Sequence, residues 1–199
     1  MPVDEKGSIS SCHPAWDMLI PAHTEYLSAI SPHYDEVFWD VAQRVERAGC
    51  LGKTDIAALV VWKRMSARTS WAAALMSLSD SHVRAITERA VTSVQDQNLS
   101  RSKAARAGRG AISKLPGFVK GDALASAILT AAAPKRMGVY DARVQRALER
   151  LGLTLTDDSG RYGRYMEIID MLLAHRGGRA SGWTARDVDT ALYWFGKKS

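Results

Sequence analysis

Two stretches of this chain carry residue types whose spacing allows chemistry. The first is the turn Leu115-Pro116-Gly117-Phe118-Val119-Lys120-Gly121, which joins a basic helical segment to the small-residue helix starting Asp122-Ala123-Leu124-Ala125. Glycines there permit close backbone approach, and amides at the N-terminus of the second helix, beside Lys114 and Lys120, can hold a phosphate. The same pattern also makes a purely structural turn between two crossing helices. The second stretch is Gly138-Val139-Tyr140-Asp141-Ala142-Arg143-Val144. Asp141 falls at a helix start, where its carboxylate either accepts backbone hydrogen bonds or points into a cleft.

With 27 Lys and Arg against 21 Asp and Glu, the 199-residue chain has a formal net charge of +6. That excess suits nucleic acid or another anionic surface without naming either. Its distribution says more. Between Asp96 and Asp122 no carboxylate occurs, while Arg101, Lys103, Arg106, Arg109, Lys114 and Lys120 supply positive charge. Such a run either neutralises phosphates, with an affinity that falls as salt rises, or forms a solubilising helix face.

Other chemistries find little footing. Cys12 and Cys50 are too few for a four-cysteine zinc or iron–sulphur site, and the five histidines are dispersed without a zinc spacing. The two cysteines allow one disulphide or two reduced thiols, and a cytoplasmic compartment predicts the thiols. No run of about 18 apolar residues suggests a membrane span, and Met1-Pro2-Val3-Asp4-Glu5 is too acidic for a secretory signal.

These residues must be positioned by helices. Apolar spacing predicts helices over Tyr34–Ala48, Asp55–Met65 with Thr54 as N-cap, Ser70–Leu78, Asp80–Val94 and Arg101–Ser113. Asp122–Ala132, Asp141–Leu151 and Arg161–Ala174 continue the series. Thr184 and Asp187 form an acidic capping box that opens a last helix with Val188, Leu192 and Phe195 as its buried stripe. No strand alternation interrupts the pattern. The expected architecture is an all-α, orthogonally packed domain over residues 34–199, with a hairpin near 101–133. Residues 1–33, rich in proline, read as an extension packed on it.

Together, Leu115–Gly152 resembles the helix–hairpin–helix and Gly/Pro/Asp region of the HhH-GPD DNA glycosylase superfamily. Leu115-Pro116-Gly117 resembles the start of the hairpin signature, Gly121 its central glycine, Leu124-Ala125-Ser126-Ala127 its second helix, and Tyr140-Asp141 the catalytic-aspartate segment. Ile56–Lys63 and Arg186–Trp194 resemble a bacterial branch of these proteins that has no assigned substrate. The resemblance implies an all-α DNA-repair fold whose hairpin holds the duplex backbone and whose aspartate lies in a cleft that receives an everted base. It names Asp141 as catalytic. Tyr140, Trp183 and Trp194, with Trp62 a weaker candidate, would contact the base, and Lys114, Gly117, Lys120, Gly121 and Arg143 the DNA.

The chain also departs from the family. Its turn carries two additional residues before the matching glycine, which leaves two registers for the lysine that bifunctional members use to form a Schiff base. One register puts Gly121 there; the other puts Ala123 there, eighteen residues before Asp141, the family's own interval. Neither supplies a lysine, and Lys120 reads better as a phosphate contact. The implied activity is a monofunctional DNA N-glycosylase on double-stranded DNA, without cofactor or iron–sulphur cluster, in the cytoplasm and associated with the nucleoid. The alternative is a catalytically inactive protein of the same fold that binds DNA structures.

Overall fold

The segment Ala123–Ala132 carries no charge, and Leu124 through Ala132 are all buried, as expected of a helix apolar on every face. It is the seventh of ten α-helices in the computed structural model, which describes residues 12–197, the side chains of 12 and 13 excepted. In chain order they are α1 (Cys12–Ala29), α2 (Glu36–Ala48), α3 (Lys53–Trp62), α4 (Ser70–Ser77), α5 (Asp80–Gln95), α6 (Arg101–Ile112), α7 (Ala123–Ala132), α8 (Ala142–Arg150), α9 (Arg161–Ala174) and α10 (Ala185–Phe195). A short 3-10 turn, Gly178–Ala180, precedes α10. Among the described residues there is no strand, and no helix is long and apolar enough to cross a membrane.

Small side chains let α2, α3, α5 and α6 pack around α7. Gly108 of α6 shows why: a β-carbon there would lie 2.8 Å from Val94 and 3.0 Å from Leu129, so only glycine lets α6 sit this close. Elsewhere α1 and α8 pack against α10, and α9 packs against α6 and α10.

Most expected helices form within two or three residues of their predicted ends. Thr54 is a correction: it lies inside α3, whose N-cap is Gly52. The Asp55 carboxylate returns to the Gly52 N–H at 2.9 Å, and Asp80, the first residue of α5, accepts from Lys53 N–H at 2.7 Å. Two carboxylates thus satisfy the first amides of a helix that starts two residues earlier than a Thr54 cap would place it. The Thr184–Asp187 capping box forms as read, with Val188, Leu192 and Phe195 buried behind it.

Helix α1 occupies part of the proline-rich extension. Pro14 stands in its first turn, where no N–H is missed, and Pro21 interrupts one interior hydrogen bond. Burial outweighs that loss, because Trp16, Leu19, Ala22 and Tyr26 form one apolar face against α10, and the Trp16 indole donates to the Leu172 carbonyl at 3.2 Å. The Cys12 side chain, and with it any pairing to Cys50, lies outside the described residues, as do residues 1–11.

Ile128, Val144, Leu148, Ile169 and Leu192 join one buried cluster that runs through the whole helical assembly. Leu148→Ala, at a site with no exposed surface, is expected to destabilise the protein by about 2–4 kcal/mol. Equilibrium denaturation showing less than about 0.5 kcal/mol would mean that the site collapses around the smaller side chain.

Candidate active site

The segment between α7 and α8 is held residue by residue. Tyr162 of α9 donates its hydroxyl to the Gly138 carbonyl at 3.0 Å, and Tyr165 donates to the Val139 carbonyl at 3.2 Å. Asp189 of α10 accepts from the Val139 N–H at 2.9 Å, while Ser126 of α7 accepts from Tyr140 N–H at 2.9 Å and donates to the Tyr140 carbonyl at 3.1 Å. Every backbone polar group from the Gly138 carbonyl to the Tyr140 carbonyl is thereby paired to a side chain of another helix. Asp141 emerges from this clamp as the N-cap of α8.

Asp141 uses both carboxylate oxygens. Oδ1 accepts from the amides of Arg143 (2.9 Å) and Val144 (3.2 Å), closing the helix start, and Oδ2 accepts from Lys63 Nζ at 2.6 Å. The ion pair is largely screened from solvent, with side-chain exposures of 12% for Lys63 and 17% for Asp141. Burial opposes ionisation of Asp141, yet the Lys63 ammonium and the two amides overcome it and hold the carboxyl below the usual carboxylate range. This carboxylate is charged at neutral pH.

The pair borders a cleft of about 510 Å³, a size that suits a small ligand. Tyr34, Trp62 and Tyr193 supply aromatic surface, and Arg64, Arg143 and Arg146 add positive charge. Beneath them Arg186 bridges Asp35 (3.3 Å) and Asp189 (2.6 Å) while its guanidinium lies over the rings of Phe38 and Trp62. Asp35 also accepts from the Trp62 indole N–H at 2.8 Å, which fixes the orientation of that ring. Among the described residues no three His, Cys, Asp or Glu side chains converge as a metal site would require.

No family model, curated protein or solved structure matches this chain.

The structure brings together Asp141, Arg143 and Trp62 from the residues singled out in the sequence, and adds Lys63, Tyr34 and Tyr193. Ala123, the preferred register position, lines the same cleft; Lys120 and Gly121 do not. Tyr140 lies in an adjoining recess of about 420 Å³, its ring against Tyr165 and Arg161 and its hydroxyl donating to Gln145 at 2.7 Å. Trp183 and Trp194 line neither space. Trp183 packs against Trp16 and His23, and Trp194 packs on Tyr26 and donates its indole N–H to Glu25 at 3.1 Å.

The carboxylate-free basic run looks different in three dimensions. Arg101 pairs with Asp170 and Arg106 with Glu167, both carboxylates arriving from α9. Arg109 folds back on the turn, donating to Asp122 (2.8 Å) and to the carbonyls of Phe118 (2.8 Å) and Gly121 (2.9 Å). Three of the six cations are thus spent on the fold. Lys103, Lys114 and Lys120 remain exposed, the last two flanking a turn that buries Leu115 and Phe118 and exposes Val119. Gly117 and Gly121 adopt left-handed backbone, and a β-carbon on Gly117 would also strike Trp71 at 2.5 Å.

Proposed function

We propose that this protein is a monofunctional DNA N-glycosylase that releases a modified base from an everted nucleotide, with Asp141 as its catalytic carboxylate and the α6–α7 turn as a helix–hairpin–helix grip on the duplex. One observation carries the reading. A carboxylate held ionised by Lys63 borders an aromatic, cationic cleft, and such a group stabilises the positive charge that develops on a sugar as its base departs. It also orients the water that replaces the base. Eversion is easiest at a damaged, mismatched or unpaired position, which favours a modified base as substrate.

The proposed activity has no lyase step, and two features of the cleft support that reading. Ala123 puts a methyl group, not an amine, beside Asp141. Lys63 is an amine in the cleft, but as an ammonium donor to Asp141 it has no free lone pair with which to attack an aldehyde.

The inactive, structure-binding alternative draws on a specific observation too: both Asp141 oxygens already have partners, as a purely structural N-cap and ion pair would. The experiment that separates the two is a product-resolved screen on defined alkylated, oxidised, deaminated and hypermodified duplexes, with borohydride present to trap any imine. Free base and an abasic site without strand scission are expected. A trapped adduct that disappears with Lys63→Ala or Lys120→Ala would overturn the monofunctional assignment, and no base release from any duplex would favour the binding protein.

Under either reading the hairpin contacts DNA phosphates through Lys120. Lys120→Glu is expected to weaken binding across DNA sequences and to lower its salt dependence by about one ion or more. Unchanged affinity and salt slope, with folding intact, would move the DNA surface elsewhere.

A further inference from the structure

The mouth of the cleft holds two guanidiniums that lean on one neutral atom. Arg64 donates to the Tyr193 phenol oxygen at 3.1 Å, and Arg143 donates to the same oxygen. Neither arginine has a carboxylate within ion-pair distance among the described residues. Arg44, Arg84, Arg101, Arg106, Arg109, Arg161, Arg179 and Arg186, by contrast, each meet an acid. A phenol accepts hydrogen bonds but cancels no charge, and two cations converging on it repel each other. An oxyanion between them would relieve that repulsion.

The backbone of Arg64 adds a second, independent observation. At φ +54° it is the one described residue other than glycine in left-handed conformation. It closes α3 there, its N–H donating to the Val61 carbonyl at 2.9 Å while Met65 N–H reaches Val60 at 3.0 Å. Glycine ordinarily fills this helix-ending position, because a β-carbon is disfavoured in left-handed backbone. Glycine would end the helix equally well but would bring no guanidinium. From this position the Arg64 side chain lies over the Tyr34 ring, 5.9 Å from its centroid, and reaches Tyr193 on α10.

We infer that Arg64 and Arg143 form a clamp for a nucleotide phosphate, with the ring of that nucleotide received among Tyr34, Trp62 and Tyr193. Planar guanidiniums match the oxygens of a phosphate in paired hydrogen bonds, and Tyr193 holds the two forks together until the phosphate arrives. The source of the nucleotide as a unit of a DNA strand rests on the function proposed above; a free nucleotide offers the same chemistry. In the DNA case the clamp fixes the backbone next to the everted sugar, close to Asp141, while the hairpin lysines hold the duplex farther away.

The test uses two probes. Thymidine 3′,5′-bisphosphate and thymidine are titrated by calorimetry into the full-length protein and its Arg64→Gln, Arg143→Gln and Arg143→Lys variants, with circular dichroism confirming the fold. A duplex with a single tetrahydrofuran abasic analogue is titrated by fluorescence anisotropy into the same proteins and Lys120→Glu. The bisphosphate is expected to bind at least about tenfold more tightly than thymidine, and each Gln substitution to remove about tenfold, on the scale of one lost charge-assisted contact. Arg143→Lys is expected to retain part of that affinity. The clamp is overturned if the bisphosphate does not bind, binds no better than thymidine, or binds both Gln variants as it binds the wild type. If Arg143→Gln does not fold, Arg64→Gln at its exposed site decides alone. Arginine-dependent bisphosphate binding without duplex binding would sustain the clamp and remove the DNA reading; Lys120-dependent duplex binding with arginine-independent bisphosphate binding would do the reverse.

Discussion

Asp141→Asn is expected to slow base release by about a hundredfold or more in single-turnover assays, the scale seen when one electrostatic contribution to a transition state is removed. The substitution keeps an oxygen for the Arg143 and Val144 amides, and asparagine caps helices about as well as aspartate, so α8 is expected to form. What disappears is the negative charge. Lys63 then faces a neutral amide, and the protein loses some stability, while in the proposed reaction the developing sugar cation would lose its counter-charge. A stability loss accompanied by undiminished base release would confine Asp141 to capping and pairing. Because the carboxyl is held below its ordinary range, its contribution to stability is present above the unfolded value of 3.8 and is lost only as pH falls through the lower folded value.

The largest loss of stability is expected from Arg186→Ala, about 3–5 kcal/mol by denaturant unfolding, the range for removing one member of a buried ion pair. The Arg186 side chain is 12% exposed, and its guanidinium serves Asp35 and Asp189 together and covers Phe38 and Trp62. Its removal leaves Asp35 and Asp189 without their shared donor beneath the cleft. Asp189 is the more vulnerable: burial pushes its carboxyl up to about 7, against the pull of Arg186 and of the Val139 N–H. Between about pH 4 and pH 7 the folded protein therefore keeps a proton that the unfolded chain has released, and stability falls as pH rises through this window. Asp189→Asn is expected to flatten that dependence. A loss below about 1 kcal/mol in Arg186→Ala would mean that water enters and screens both acids.

Local signals made the helices legible. Apolar spacing marked α2 through α10, and Thr184 with Asp187 announced the start of α10 three residues apart, since capping involves only neighbouring atoms. Two errors have the same origin. Pro14 and Pro21 concealed α1, whose stability comes from α10, more than a hundred residues away, and Thr54 read as a cap because Asp80, the acid that serves the Lys53 N–H, is distant in sequence. Asp141 was legible as a helix cap. Its charged partner was not.

By itself the sequence determined an all-helical protein, the place of Asp141 at the head of α8, and a glycine-containing turn flanked by Lys114 and Lys120, because each depends on short-range periodicity or on the steric freedom of a few backbone angles. Only the tertiary structure decided which charges are free and which aromatics share the cleft. It cancelled Arg101 and Arg106 with acids from α9, turned Arg109 onto its own turn, sent Trp183 and Trp194 into packing, and set Lys63 beside Asp141 across 78 positions of chain. The reason is that ion pairing and stacking fall off over a few ångströms in space and take no account of separation along the chain.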